Sequence, residues 1–230
     1  MSAFSPESLF DLSQTAHAAL FDGRVHAWEV LADIKAYVRD TVKPEIRSEV
    51  PEGSYIGDQV FIDEGCVIEP GVYIKGPAII GKNCQIRHGA YLRESVIAGD
   101  GCVLGNSCEF KNALLFNSCQ VPHFSYVGDA IFGYKAHLGA GVKISNVRLV
   151  PGNVTVAHDG KVLDTGLRKF GALLGDNTDI GCNAVLNPGS VIGRGAMVYP
   201  NTSWRGVLGA DMIAKNRSVV QVVAQRKKDS

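Results

Sequence analysis

Net charge is the first thing this sequence lacks: 23 lysines and arginines face 23 aspartates and glutamates across 230 residues. Without a global field, nothing draws the chain to nucleic acid or to anionic lipid. Only the final "QRKKDS" is locally basic, which reads as a solvated tail. No apolar run approaches the roughly 18–20 residues that a membrane helix needs. The start shows no succession of charged, apolar and small residues of the kind a secretory leader carries. A cytoplasmic protein with no membrane or nucleic-acid partner is therefore expected. Metal-ligand spacing is missing too, since none of the six cysteines forms a CxxC pair.

What the sequence does have is a period. Ile56, Ile62, Ile68, Ile74, Ile80, Ile86, Leu92, Ala98, Leu104, Phe110 and Phe116 follow one another at steps of six. Four places after most of them stands a small or apolar residue, as at Val60, Cys66, Val72, Ala78, Cys84, Ala90, Cys102 and Cys108. The pattern returns at Phe132, Leu138 and Ile144, then from Leu174 through Ile180, Leu186, Ile192 and Val198 to Trp204. A six-residue unit of this kind supplies one short strand and one bend. Three units close a triangular coil, and coils stack at the strand spacing of ~4.8 Å. Cys66, Cys84 and Cys102 stand 18 residues apart, so they fall in one inward column and read as buried, reduced thiols. An all-β solenoid is the fold class that this period predicts.

Three segments lie outside the period. Residues 1–50 carry "SPESLFDLS" and "HAWEVLADIKAYVRDTV", where Trp28, Leu31, Ile34 and Val38 recur at helical spacing. They predict a helical cap over the open end of a solenoid spanning 51–204. Residues 145–170 interrupt the coils as a loop insertion, and "TVAHDGKVLDTG" within it predicts a hairpin about Asp-Gly. Residues 205–230 are expected to form a C-terminal arm with a short helix.

The hexapeptides resemble those of the hexapeptide-repeat acyltransferases, over roughly residues 52–204. That resemblance implies a left-handed parallel β-helix, a homotrimer, and a site between neighbouring prisms. "QIRHGAYL", "LGNSCEFKNALL", "PHFSYVGDAIFG" and "LGAGVKISN" occur in that order. As a set they resemble the acetyltransferase domain of the bifunctional enzyme that acetylates glucosamine-1-phosphate and then uridylates it. They also resemble the matching domain of related sugar-1-phosphate nucleotidylyltransferases.

The resemblance implies acetyl-CoA as co-substrate, an amino-sugar phosphate as acceptor, and no metal. It places His123 as general base, Arg87 and Lys111 on the sugar phosphate, and Tyr126 as a phosphate-binding hydroxyl. Asn146 would position the sugar, and Lys169 would contact substrate. Arg87, Lys111 and His123 are separated by multiples of six, so neighbouring faces could bring them together. The chain departs from the pattern at His137, where the relatives have an asparagine, and at Cys182, where they have a small hydroxyl. No nucleotidyltransferase domain precedes the coils, so uridyl transfer is not expected. Two other readings remain open. One is a sugar-phosphate-binding or regulatory β-helix without catalysis. The other is a zinc hydratase of the γ-carbonic-anhydrase type, for which His88, His123 and His137 are the only candidate ligands.

Overall fold

The computed structural model describes residues 3–216. Those residues form a parallel β-solenoid of about nine turns, consistent with a left-handed β-helix. Short strands, most of two or three residues, stack on like strands of the next coil. Val60–Ile62, Ala78–Ile80 and Val96–Ala98 begin the first face, Val67–Ile68 and Gln85–Ile86 the second, Tyr55–Ile56, Tyr73–Ile74 and Tyr91–Leu92 the third. The inward residues Ile62, Ile80, Ile74, Ile86 and Leu92 are fully buried, as their period predicts. The thiol column also forms, and it extends to Cys119. Each Sγ of Cys66, Cys84, Cys102 and Cys119 donates to a carbonyl of the next coil, at 3.0–3.1 Å. Hydrogen bonding within the column together with burial pushes the Cys84 thiol up to about 12.

The period is not uniform. Phe110 and Leu115 occupy consecutive inward positions only five residues apart, because 113–115 pairs with Val96–Ala98 in place of 114–116. Phe132 in turn pairs with Leu115, so two successive coils are seventeen residues long. Both deletions fall at the same corner, between the third and first faces. There the strands Glu109–Leu115 and Tyr126–Phe132 run around the bend without a break, through Asn112 at φ 46° and Asp129 at φ 49°. Phe116, expected inside the prism, is therefore displaced to the outside, where its ring meets Phe10 and Phe21 at 5.2 and 5.8 Å.

The N-terminal segment lies along the side of the solenoid. The outward residues of the first face, among them Ile97, Leu114, Ile131, Leu173 and Val191, are apolar and buried. Against them pack the helix Val30–Thr41, through Val30, Leu31, Ile34 and Val38, and the single turn Pro6–Leu9. A helical cap over the open end is thus replaced by a flank that covers an apolar sheet face. The helix stops before Pro44, and Glu45–Ile46 pairs with the first-face strand at 61–62. Within the flank, His17 Nδ1 lies 2.9 Å from the Tyr37 hydroxyl. Burial lowers the His17 pKa from its ordinary value. The neutral ring is then the folded form, so this contribution to stability is present above about pH 6.5 and is lost as pH falls through the lowered value. Melts between about pH 7 and pH 5 should show a smaller acid loss of Tm in His17→Gln than in wild type; equal slopes would refute this.

The hairpin forms as predicted: Thr155–His158 pairs antiparallel with Lys161–Asp164 about Asp159 and Gly160, both at positive φ. Val154 and Val156 anchor it in the outer apolar cluster. The solenoid continues past Trp204 through Val207–Leu208 and Ile213–Ala214, where an arm with a helix was expected. "SVVQVVAQ" and the basic tail lie outside the described residues.

Candidate functional site

Two corners flank the third face, and the expected residues divide between them. On the corner after the second face sits His123, three residues before Tyr126. Pro122 precedes it, and Gly105 in the adjacent coil leaves room for that proline backbone where a side chain would collide with it. The His123 carbonyl accepts from the Ser125 hydroxyl and the Gly141 N–H, both at 3.0 Å, which pins the corner. The imidazole is exposed and takes no hydrogen-bond partner among the described residues. Its ring lies 6.1 Å from that of Phe124, which is 60% exposed at φ 49°.

The opposite corner is the one shortened twice, and it gathers Lys111, Tyr126 and Asn146 about Asp129. The Asp129 carboxylate is buried, with 6% of its side chain exposed, and Lys111 Nζ approaches it at 3.6 Å. Asn112 Nδ2 donates to Asp129 Oδ1 at 2.9 Å, and Asn146 Nδ2 donates to Oδ2 at 2.5 Å. The Asn146 amide also reaches the Tyr126 hydroxyl at 3.3 Å. Burial pushes the Tyr126 phenol up, with the carboxylates of Asp129 and Glu109 adding to that, so it remains a neutral donor at neutral pH. Asn112 further donates to the Leu31 carbonyl at 3.1 Å, tying the flanking helix to this corner. Loop closure returns Lys169 here: it precedes Phe170, whose N–H donates to the Asn146 carbonyl.

Gly128 makes this arrangement possible. A Cβ there would meet the Tyr126 hydroxyl at 2.5 Å and Asn146 Nδ2 at 2.7 Å. Gly128→Ala should therefore raise the Kd of any ligand held by Tyr126 and Asn146, at a stability cost of about 1–3 kcal/mol. Calorimetry and urea unfolding check the two effects; unchanged binding would show that the pair holds no ligand.

Arg87 does not join Lys111. It follows Ile86 on the second face, and its guanidinium donates to Gln85 Oε1 at 3.1 Å. The cation stacked beside Lys111 is Arg93, because Leu92 pairs with Phe110 and Arg93 N–H donates to the Phe110 carbonyl at 2.9 Å. Arg93 bonds Glu109 at 3.0 Å and lies 3.6 Å from Glu94. Arg93, Asn112 and Asp129 are the members of this corner that sequence reasoning missed. His137 stands on the second face with Nδ1 2.8 Å from Asp179 Oδ1, and Cys182 is exposed. His88 Nδ1 is engaged by the Pro70 carbonyl, as His137 Nδ1 is by Asp179. Among the described residues no group of three or more His, Cys, Asp or Glu could hold a metal.

Residues 74–165 match the GMPPB C-terminal domain. The bifunctional protein GlmU of Methanococcus maripaludis strain C7 is 44% identical over 176 residues, which cover 76% of this chain and 42% of that protein. The chain is a relative of GlmU-like proteins. The GlmU of Methanococcus aeolicus is 33% identical over 201 residues, 87% of this chain and 48% of its own length. A bifunctional sugar-1-phosphate nucleotidylyltransferase/acetyltransferase of Sulfurisphaera tokodaii is 37% identical over 97 residues, 42% of this chain and 24% of that protein. The chain thus spans less than half the length of these GlmU-like relatives. The resemblance drawn from the hexapeptides and the four ordered motifs holds. No helix among the described residues is long and apolar enough to cross a membrane.

Proposed function

We propose that the chain is an acetyl-coenzyme-A-dependent N-acetyltransferase for an amino-sugar phosphate, with His123 as general base. The observation that carries this reading is the third face itself. An unpartnered imidazole stands at one of its corners, and at the other a buried carboxylate holds Lys111 and Asn146 in position, with the Tyr126 hydroxyl in reach of Asn146. The acetyltransferase half of the Sulfurisphaera relative's name supports acetyl transfer, and its sugar-1-phosphate half supports the acceptor class.

In this reading the sugar lies across the third face with its phosphate toward Lys111 and Arg93. Tyr126, Asn146 and Lys169 orient it, and its amine faces His123. The amine nitrogen attacks the thioester carbonyl while the imidazole removes its proton. A C–N bond forms, the C–S bond breaks, and the departing thiolate of coenzyme A takes the proton back from the imidazolium. An imidazole titrates near neutrality, which suits it to both transfers. A homotrimer in the cytoplasm belongs to the same proposal, and sedimentation equilibrium checks the trimer.

Thiol release from acetyl-coenzyme A tests the activity, with glucosamine-1-phosphate and galactosamine-1-phosphate as acceptors. Arg93→Ala should raise KM for the sugar phosphate about ten- to hundredfold, the worth of a charge-assisted hydrogen bond. Arg87→Ala should leave KM within about twofold, since its guanidinium lies on the other corner. A larger effect from Arg87 than from Arg93 would refute the assignment of the phosphate site. One observation favours a binding module without transfer: His137, at the position where the resemblance implies an asparagine, is engaged by Asp179. Calorimetric binding of the sugar phosphate without coenzyme A binding would establish that second reading.

A further inference from the structure

The inserted loop builds a cleft that the acetyl-transfer reading does not use. Immediately after Asn146, a cavity of about 400 Å³ opens between the loop at Ser145, Arg148 and Val150 and the later coils at Asn187 and Arg205. A second cavity, of about 480 Å³, lies beneath the hairpin and is lined by Thr155, Val162, Trp204, Arg205 and Val207. Arg205 lines both, so the two chambers adjoin at this residue. Each lies within the size range of small-molecule sites.

Their chemistry differs from that of the neighbouring acceptor corner. There, the two stacked cations already have carboxylates: Arg93 has Glu109, and Lys111 has Asp129. No aspartate or glutamate lines either chamber of the cleft. Arg205 has no hydrogen bond or ion pair among the described residues. Arg148 donates through Nη1 to the Asn153 carbonyl, which steadies the guanidinium while leaving the rest of its fork free. Two guanidinium forks without internal acids select an anion with several oxygens, and phosphate groups match that geometry. The second chamber adds a flat apolar wall. Trp204 packs on the solenoid core, and its Nε1–H donates to the Gly206 carbonyl at 3.2 Å, which fixes the indole plane. Val162 and Val207 line the same chamber.

We propose that this cleft binds a nucleoside diphosphate, its two phosphates between Arg148 and Arg205 and its base in the Trp204 chamber. Two guanidiniums meet two phosphates, and the indole with its neighbouring valines receives a planar aromatic ring. The site is separate from the Lys111 corner and does not depend on acetyl transfer. Because the cleft opens directly beyond Asn146, a nucleotide held there stands next to whatever occupies that corner.

The test is titration of the full chain with uridine diphosphate and with adenosine diphosphate, read by calorimetry and by tryptophan emission. Trp28 is buried in the flank, so a ligand-dependent change in emission reports Trp204. Binding should weaken about ten- to hundredfold in Arg205→Ala, with partial recovery in Arg205→Lys, and comparably in Arg148→Ala. Arg205 is exposed at a corner, and unchanged melting of its variants would show that they fold. Absence of binding at millimolar nucleotide, or binding indifferent to both arginines, would overturn the proposal. Inorganic pyrophosphate binding as tightly as the nucleotides would overturn the base chamber. Preference for 3′-phosphoadenosine diphosphate, the nucleotide portion of coenzyme A, would assign the cleft to the donor and likewise overturn it. Nucleotide binding without any acetyl transfer would leave this inference standing and remove the proposed function; acetyl transfer without nucleotide binding would do the reverse.

Discussion

Alanine at position 123 is expected to lower turnover ~10²–10⁴-fold, the usual contribution of a positioned general base, while Tm stays within about 2 °C of wild type. The two halves of that expectation have separate grounds. Among the described residues, His123 is the imidazole three residues before Tyr126 at the corner bordering the third face, and its ring bonds none of them. Its structural contribution is made by the backbone carbonyl, which accepts from Ser125 and Gly141 and survives the substitution. Single-turnover kinetics with saturating acetyl-coenzyme A measure the first half, and thermal melting measures the second. Turnover like that of wild type would end the role of His123 as base. Loss of turnover together with a collapse in Tm would make the residue structural.

Asp129→Ala should cost about 3–5 kcal/mol of stability, the range seen when one partner of a buried charge pair is removed. The carboxylate accepts from Asn112 and Asn146 and faces the Lys111 ammonium, whose side chain is only 16% exposed. Its removal leaves two amides short of an acceptor and a largely buried cation without a counter-charge. Alanine also tolerates φ 49° less well than aspartate, adding roughly 1 kcal/mol. Asp129→Asn keeps the backbone preference and one acceptor oxygen, so its loss should be smaller. Both variants should weaken sugar-phosphate binding, because Lys111 and Asn146 lose the group that orients them. Urea unfolding with calorimetry in parallel reads both effects. A change of less than about 1 kcal/mol in Asp129→Ala would show that the corner does not depend on this carboxylate.

The solenoid was legible because an inward apolar residue every six places leaves few alternatives: Ile62, Ile80 and their successors had to face one another. The corner was harder to read. Separation by a multiple of six guarantees only that two residues occupy equivalent places on some face; a whole coil is needed to stack them. Arg93 precedes Lys111 by one coil and stacks with it, whereas Arg87 lies a further face away. Proline and tyrosine draw attention to residues 119–133, but the slip in register is not first made there. It begins earlier, at Asn112, because a deleted corner residue leaves no unusual composition behind. Asp129 was missed for a related reason: in "YVGDAIFG" it reads as a turn aspartate, and only the left-handed backbone and the burial reveal it as an anchor. The lateral position of the N-terminal helix did have a signal. Ile97, Leu114, Ile131 and Leu173 are apolar at positions that alternate away from the core, and such a face requires a cover.

Carbon-13 NMR of the reaction of glucosamine-1-phosphate with acetyl-coenzyme A labelled at the acetyl carbonyl tests the central claim most directly. The proposed mechanism predicts that the label moves into an amide on the sugar nitrogen, at a rate that falls sharply in His123→Ala. Label on a sugar hydroxyl, or none on the sugar in the presence of folded protein, would contradict it.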